Sequence, residues 1–263
     1  MVYLSMLMAL EDDSVFLEAL QRGGSNVGVE FFSFRYDTEE MPRLRETLKL
    51  FSGHPITFHG PMRSAELTAE QNSAAWQSTL TAYKNALELA QEAGADSMVA
   101  HTHERYIPEE EKKQLMLRCE ENLHVLSEIA KPYGVTLCVE NVSLPGKGAQ
   151  LFDENEYIAL IHRLPQCKSL IDVGHVNCTA WHMDKLCREL GNRISGFHMH
   201  NNDGSCDSHN WLSEGTFQVH EARKIIAMYS NQADYVLEYT QTTGKSADDL
   251  LADVRLLAQS PFR

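Results

Sequence analysis

A chain of 263 residues is long for one ordinary domain and matches the size of a single α/β barrel, about 250 residues. With 23 Lys+Arg against 37 Asp+Glu the net charge is −14, which disfavours nonspecific attraction to nucleic acid or to an anionic membrane. Cys119, Cys138, Cys167, Cys178, Cys187 and Cys206 are scattered without a CxxC pair, so they read as thiols of a cytoplasmic protein, and no apolar run is long enough to span a bilayer.

The apolar start, MVYLSMLMAL, lacks a basic flank and a cleavage site and is expected to form strand one over residues 2–8, not a signal peptide. A short helix over 14–21, strand two over 26–31 and a helix over 41–51 with Pro42 in its first turn follow. Strand three is expected at 55–59. The next helix keeps Trp76, Leu80, Tyr83, Leu87 and Ala90 at a 3.6-residue period up to the Gly94 stop. Strand four covers 97–101. The helix over 109–131 lines up Leu115, Cys119, Leu123, Leu126 and Ala130, with its Glu/Lys-rich positions left to solvent.

Strand five, Val135 to Val139, ends abruptly in Glu140 and Asn141. A helix at 154–162, strand six at 169–172, a helix at 184–190, strand seven at 194–200, a helix at 219–229, strand eight at 235–238 and a last helix through Leu250 and Leu257 complete the chain. Eight strand–helix units average about 33 residues each, the usual βα repeat. No linker or composition break separates them, so residues 1–263 are expected to form one domain, a single (β/α)8 TIM barrel. The longest irregular stretch, 201–216, follows strand seven, where loops of that length are usually functional.

Strands three to eight all finish in a residue that binds metal or moves a proton: His59, His101, Glu140, Asp172, His198 with His200, and Glu238. In a parallel barrel those ends gather at one mouth. Side chains alternate along a strand, so Glu140 shares a face with Cys138 and Thr136, and Val135, Leu137 and Val139 take the face toward the helices. Any one of these residues alone is more often a cap or a paired core polar group. Six such strand ends together, desolvated without a cation, would carry a large free-energy cost. Two local patterns add to them: Asp172-Val173-Gly174-His175, where a glycine turn is expected to bring His175 back to the carboxylate, and Asp207-Ser208-His209, two ligand types expected to project the same way from an extended loop. His54, His124, His162, His182 and His220 read as structural.

The segments VENVSLPGKG, LIDVGH, GFHMHNNDG, DSHNWLSEGTF and VLE resemble the xylose-isomerase-like barrel superfamily, which holds sugar isomerases and epimerases together with endonuclease IV. The resemblance covers essentially the whole chain. It implies that Glu140, Asp172, His198 and Glu238 are the metal-binding quartet of a sugar or sugar-phosphate isomerase or epimerase, with Glu140 and Glu238 moving the proton through an enediolate. Mn²⁺, Co²⁺ or Mg²⁺ would suit one such hard, oxygen-rich site. The same resemblance implies a wider set, His59, His101, Glu140, Asp172, His175, His198, Asp207, His209 and Glu238, which matches the ligands of endonuclease IV and would make a multinuclear zinc phosphodiesterase the alternative. His175 would be a further ligand or, with His200, a substrate contact; His198 is preferred to His200 as the ligand. Two departures weaken the nucleic-acid reading: strand one lacks the glycine-alanine-histidine opening of endonuclease IV, and Met62 stands where an aromatic DNA contact is expected. The implied partner is a small carbohydrate, with a homodimer as an expected assembly. Arg35, Arg63, Arg105 and Lys147 are candidate phosphate contacts, and Trp181, Trp211, Phe32 and Phe34 either stack on a sugar or pack.

Overall fold

The protein, as a computed structural model, is described over residues 1–142, 148 and 150–262. Its eight strands are β1 Val2–Ser5, β2 Gly28–Phe31, β3 Ile56–His59, β4 Ser97–Ala100, β5 Thr136–Glu140, β6 Lys168–Asp172, β7 Ile194–Met199 and β8 Asp234–Leu237. Each pairs in parallel with the next, and β8 pairs with β1, so the sheet closes into a (β/α)8 barrel. Parallel neighbours require a crossover, and the amphipathic segments supply it: α1 Ser14–Gly23, α2 Met41–Lys49, α3 Ala74–Ala93, α4 Lys112–Ala130, α5 Glu154–Arg163, α6 Val173–Thr179, α7 Met183–Leu190, α8 Val219–Tyr229 and α9 Ala247–Ala258. Between β6 and β7 the crossover carries two helices, α6 and α7.

Local chemistry sets the helix limits. Ser73 caps α3, which stops at Gly94 in the left-handed conformation (φ 70°), and reciprocal capping boxes start α5 (Asp153 with Glu156) and α9 (Ser246 with Asp249). The apolar faces of the helices pack on the outward residues of the strands in one large core that includes Val135, Leu137 and Val139. Inside the barrel a separate small cluster holds Val99, Cys138 and Leu170. Strand five therefore alternates as the sequence implies, and Glu140 continues the inward row of Cys138.

Three local expectations are corrected. Strand one is shorter than residues 2–8, because Met6–Ala9 turn into a 3-10 helix capped by Ser5. His175 is delivered by a helix and not by a glycine turn: Asp172 is the N-cap of α6. Residue 209 is not extended, since His209 has φ 47°. No helix among the described residues is long and apolar enough to cross a membrane.

Candidate metal centre

The register of the barrel brings the quartet together. Asp172 lies directly beside His198 across the β6–β7 ladder, and β5 and β8 end at the same mouth in Glu140 and immediately before Glu238. From Nδ1 of His198 the nearest carboxylate oxygens are Oε2 of Glu238 at 3.2 Å, Oε2 of Glu140 at 3.6 Å and Oδ2 of Asp172 at 3.7 Å. All four side chains are buried. Donors around a divalent ion bound at about 2.0–2.2 Å stand somewhat over 3 Å apart, which this arrangement fits.

Two flanking groups adjoin the quartet. On one side Nε2 of His101 and Nε2 of His59 lie 3.1 and 3.9 Å from Oε2 of Glu140. On the other, Nε2 of His175 and Nε2 of His209 lie 3.4 and 2.8 Å from Oδ2 of Asp207, while Nδ1 of His175 is 3.3 Å from Oε1 of Glu140. The nine residues expected from the sequence thus converge. His200 joins them, its Nε2 2.9 Å from Oδ2 of Asp172 and its ring stacked on His209 with centroids 4.0 Å apart. His198 and His200 are equally buried, and their contacts differ: His198 Nδ1 faces Glu238, Glu140 and Asp172 together, whereas His200 Nε2 faces Asp172 and Asp207.

The backbone around these residues is fitted closely. Asp172 Oδ1 accepts from the His175 amide at 2.7 Å, which fixes the first turn of α6 over the site. A Cβ on Gly174 would meet the His200 ring at 2.0 Å, so only glycine allows that approach. Asn141 donates to the Asp172 carbonyl (3.1 Å) and accepts from its amide (2.6 Å), tying the ends of β5 and β6. Asn201 accepts from the amides of Asn202 and Phe217 and pairs by backbone with Asn210, which folds loop 201–216 back so that Asp207 and His209 cover the mouth.

Ring orientation is also set. His59 Nδ1 bonds the Gly60 carbonyl (2.9 Å), His101 Nδ1 the Glu104 carboxylate (2.6 Å) and His209 Nδ1 the Glu238 carbonyl (2.9 Å), so each presents Nε2 to the site. His198 is turned the other way, with Nε2 3.0 Å from Oε2 of Glu30. Glu30, on β2 and 0% exposed, is a site residue that the strand-end pattern missed. Its signal was present, since a carboxylate between the outward Val29 and Phe31 has nowhere to point but the barrel interior.

The electrostatics ask for a cation. Glu30, Glu140, Asp172 and Glu238 are each at most 4% exposed, and among the described residues every ion-pair partner they have is a histidine. Of nine buried side-chain polar atoms without a hydrogen-bond partner among the described residues, six are here: Oε1 of Glu30, Oε2 of Glu140, Oδ1 of Asp207 and Nδ1 of His175, His198 and His200. Such atoms are rarely left unmatched in native proteins, and their concentration at one point fits lone pairs reserved for metal. In the metal-free site burial disfavours charge on His101, yet the carboxylates of Glu140 and Glu104 outweigh it and hold its pKa up at about 10. Burial likewise opposes charge on His209, but Asp207 and Glu238 raise it to about 9. Burial pushes Glu238 up to about 8. The same burial acts on Glu140, where the neighbouring histidines, His101 foremost, prevail and hold it well below the usual carboxylate range.

A cavity of about 190 Å³ opens onto the cluster, walled by Leu7, Phe32, Phe34, Met62 and Val142. The aromatic candidates divide accordingly. Phe32 and Phe34 face the cavity, whereas Trp211 stacks on Tyr239 (4.4 Å) and Trp181 packs against Tyr157 (5.8 Å). Arg35 and Arg105 pair with Asp37 and Glu111; Arg63 lies over the Phe34 ring at 4.0 Å; Lys147 lies outside the described residues. His54 and His124 bond Val27 and Gln166, and His182 pairs with Glu154, all away from this centre.

Comparison with known proteins agrees with the fold. Residues 18–259 match the model of the family described as xylose isomerase-like TIM barrel. No curated protein matches the chain in sequence. Among solved structures it is similar to a D-tagatose 3-epimerase-like protein (18% identity, TM-score 0.77, covering 98% of this chain and 95% of that one). It is also similar to a Thermus thermophilus protein, TTHB071, soaked with zinc chloride (20%, 0.72, 98% and 97%). A third is an AP endonuclease, family 2, from Brucella melitensis (17%, 0.73, 97% and 98%). At these identities the structural likeness speaks for the fold alone.

Proposed function

Because the chain belongs to the xylose isomerase-like TIM barrel family, we propose that it is a metal-dependent isomerase or epimerase of a sugar or sugar phosphate, moving a proton between adjacent carbons. The observation that carries this reading is the convergence of Glu140, Asp172 and Glu238 on Nδ1 of His198 at the floor of a small, largely apolar cavity. Glu140, Asp172, His198 and Glu238 would hold the ion. A divalent cation such as Mn²⁺, Co²⁺ or Mg²⁺ held there would supply Lewis-acid polarisation of a substrate carbonyl and its neighbouring hydroxyl.

The remaining chemistry belongs to side chains. Glu140 and Glu238 stand on strands three apart around the barrel, so they reach the reacting carbons from different sides, one as base and the other as acid. His175 and His200, beside Asp207 and Asp172, orient substrate oxygens. Phe32, Phe34 and Met62 exclude water from the proton path. The enzyme is proposed to act in the cytoplasm on a small carbohydrate, with residues 1–263 as one catalytic unit.

A second reading, hydrolysis of a phosphodiester, has its own support. His59 and His101 beside Glu140, and His175 and His209 beside Asp207, form two further donor groups that a mononuclear centre does not need. Their four histidines, five with His198, would suit zinc. The small cavity and the net charge of −14 favour the first reading over a nucleic-acid substrate.

Deuterium exchange separates the two. Protein loaded with Mn²⁺ or Co²⁺ and incubated in D₂O with ketoses, aldoses and their phosphates is expected to place deuterium on the carbon next to the carbonyl, read by proton NMR. No exchange with any of them, together with cleavage of bis(p-nitrophenyl) phosphate or abasic DNA by the zinc-loaded protein, would replace the isomerase reading with the hydrolytic one.

A further inference from the structure

We propose that Glu30 is a positioning residue: it holds His198 in the orientation and tautomer that direct Nδ1 into the metal centre, and its charge strengthens that nitrogen as a donor. The inference rests on the proposed metal site.

Glu30 comes from β2, which pairs with β1 and β3 and not with β7, so its carboxylate crosses the barrel interior to reach His198. Both side chains are 0% exposed, and Oε2 of Glu30 lies 3.0 Å from Nε2 of His198. With Nε2 engaged as donor, the lone pair of Nδ1 is left for the side facing Glu238, Glu140 and Asp172. His59, His101 and His209 are oriented through the opposite nitrogen. The ring of His198 is thus flipped relative to theirs, and the group that accepts from its outer nitrogen is a carboxylate. A neutral carbonyl would satisfy packing at lower desolvation cost; a buried anion is costly unless something compensates it. Oε1 of Glu30 has no hydrogen-bond partner among the described residues; Ser5 on β1 also favours the charged carboxylate, but the contact of Oε2 with His198 is the one that reaches the metal centre. A carboxylate on the far nitrogen of a metal-ligating imidazole raises the basicity of the near one, and loss of such a partner typically weakens metal binding about 10–100-fold.

The test is Co²⁺ binding to Glu30→Gln and to the unaltered protein, followed by visible absorption and by competition with a chelator. Gln keeps the volume and an acceptor oxygen while removing the charge. Binding weakened about 10–100-fold with a shifted d–d spectrum, at unchanged circular dichroism of the metal-free protein, is the expected result. Equal affinity and an identical spectrum would overturn the role of Glu30. Failure of the unaltered protein to bind Co²⁺ would instead overturn the metal site itself. Should Glu30→Gln not fold, ¹⁵N NMR of the unaltered zinc-loaded protein decides: a proton on Nε2 of His198 is expected, and a proton on Nδ1 contradicts the proposal.

Discussion

Glu140→Gln and Glu238→Gln are each expected to slow deuterium exchange by about 10²–10⁴-fold, the usual contribution of a positioned general acid or base. Their routes differ. Oε2 of Glu140 is shared between His198 and the His59/His101 group, so neutralising it removes both a proton acceptor and one of the two charges that hold His101 protonated in the metal-free site. Glu140→Gln should therefore lose metal as well as rate. Glu238 stands at the other edge, 3.2 Å from His198 Nδ1 and 3.6 Å from His209 Nδ1. In Glu238→Gln an amide can still offer its oxygen but cannot carry the proton, so rate is expected to fall further than metal content. Measuring exchange rate and bound metal on the same samples separates the two effects. A fully metal-loaded Glu238→Gln variant that exchanges at the unaltered rate would remove Glu238 from the proton path.

Metal removal is expected to change the pH dependence of stability. In the metal-free protein His101 and His209 have pKa values raised to about 10 and about 9, above the ordinary 6.5, and Glu238 is raised to about 8 from 4.5. A group whose pKa is raised on folding contributes stability that is complete below its unfolded pKa and is lost as pH rises through the folded one. All three therefore act in the same direction, and the metal-free protein should become less stable from about pH 5 toward pH 10. Glu140, Asp172 and Asp207 are lowered, burial being outweighed by their histidine partners, so their contribution is lost only on acidification below the ordinary carboxylate range. His59 and His200, lowered by burial, act the other way and lose their contribution as pH falls below about 6.5, so the metal-free optimum should lie between these acid-side and alkaline-side losses. Bound metal displaces the protons from the histidines and stabilises the native state by mass action, most strongly at neutral to alkaline pH. Thermal denaturation across pH 5–9, with EDTA and with Co²⁺, should give curves that diverge as pH rises. Superimposable curves would contradict the cation's role in balancing these buried charges.

The barrel was legible because its constraints are periodic. Apolar strands alternating with amphipathic helices force parallel pairing, and parallel strands deliver their C-terminal residues to one mouth, which is why His59, His101, Glu140, Asp172, His198 and Glu238 could be read together. Residues set by local three-dimensional detail were not. His175 reaches the centre because Asp172 caps a helix, and the glycine between them signalled a turn equally well. Glu30 lies inside β2 and not at its end, so a search of strand ends passed over it, although its two outward neighbours marked it as inward-facing. Asn141 and Asn201 act through backbone partners that no spacing reveals. Whether Phe32 and Phe34 or the two tryptophans line the cavity depends on the path of the loop after β2, and nothing in the sequence ranks them.

The most direct measurement of the central claim is metal per chain, by elemental mass spectrometry after equilibration with Mn²⁺, Co²⁺ and Zn²⁺, on the unaltered protein and on His59→Ala and Asp172→Ala. The isomerase account predicts one tightly held divalent ion that survives His59→Ala and is lost in Asp172→Ala. Two or three zinc ions, reduced by His59→Ala, would favour the multinuclear hydrolase, and no retained metal under any of these conditions would contradict both.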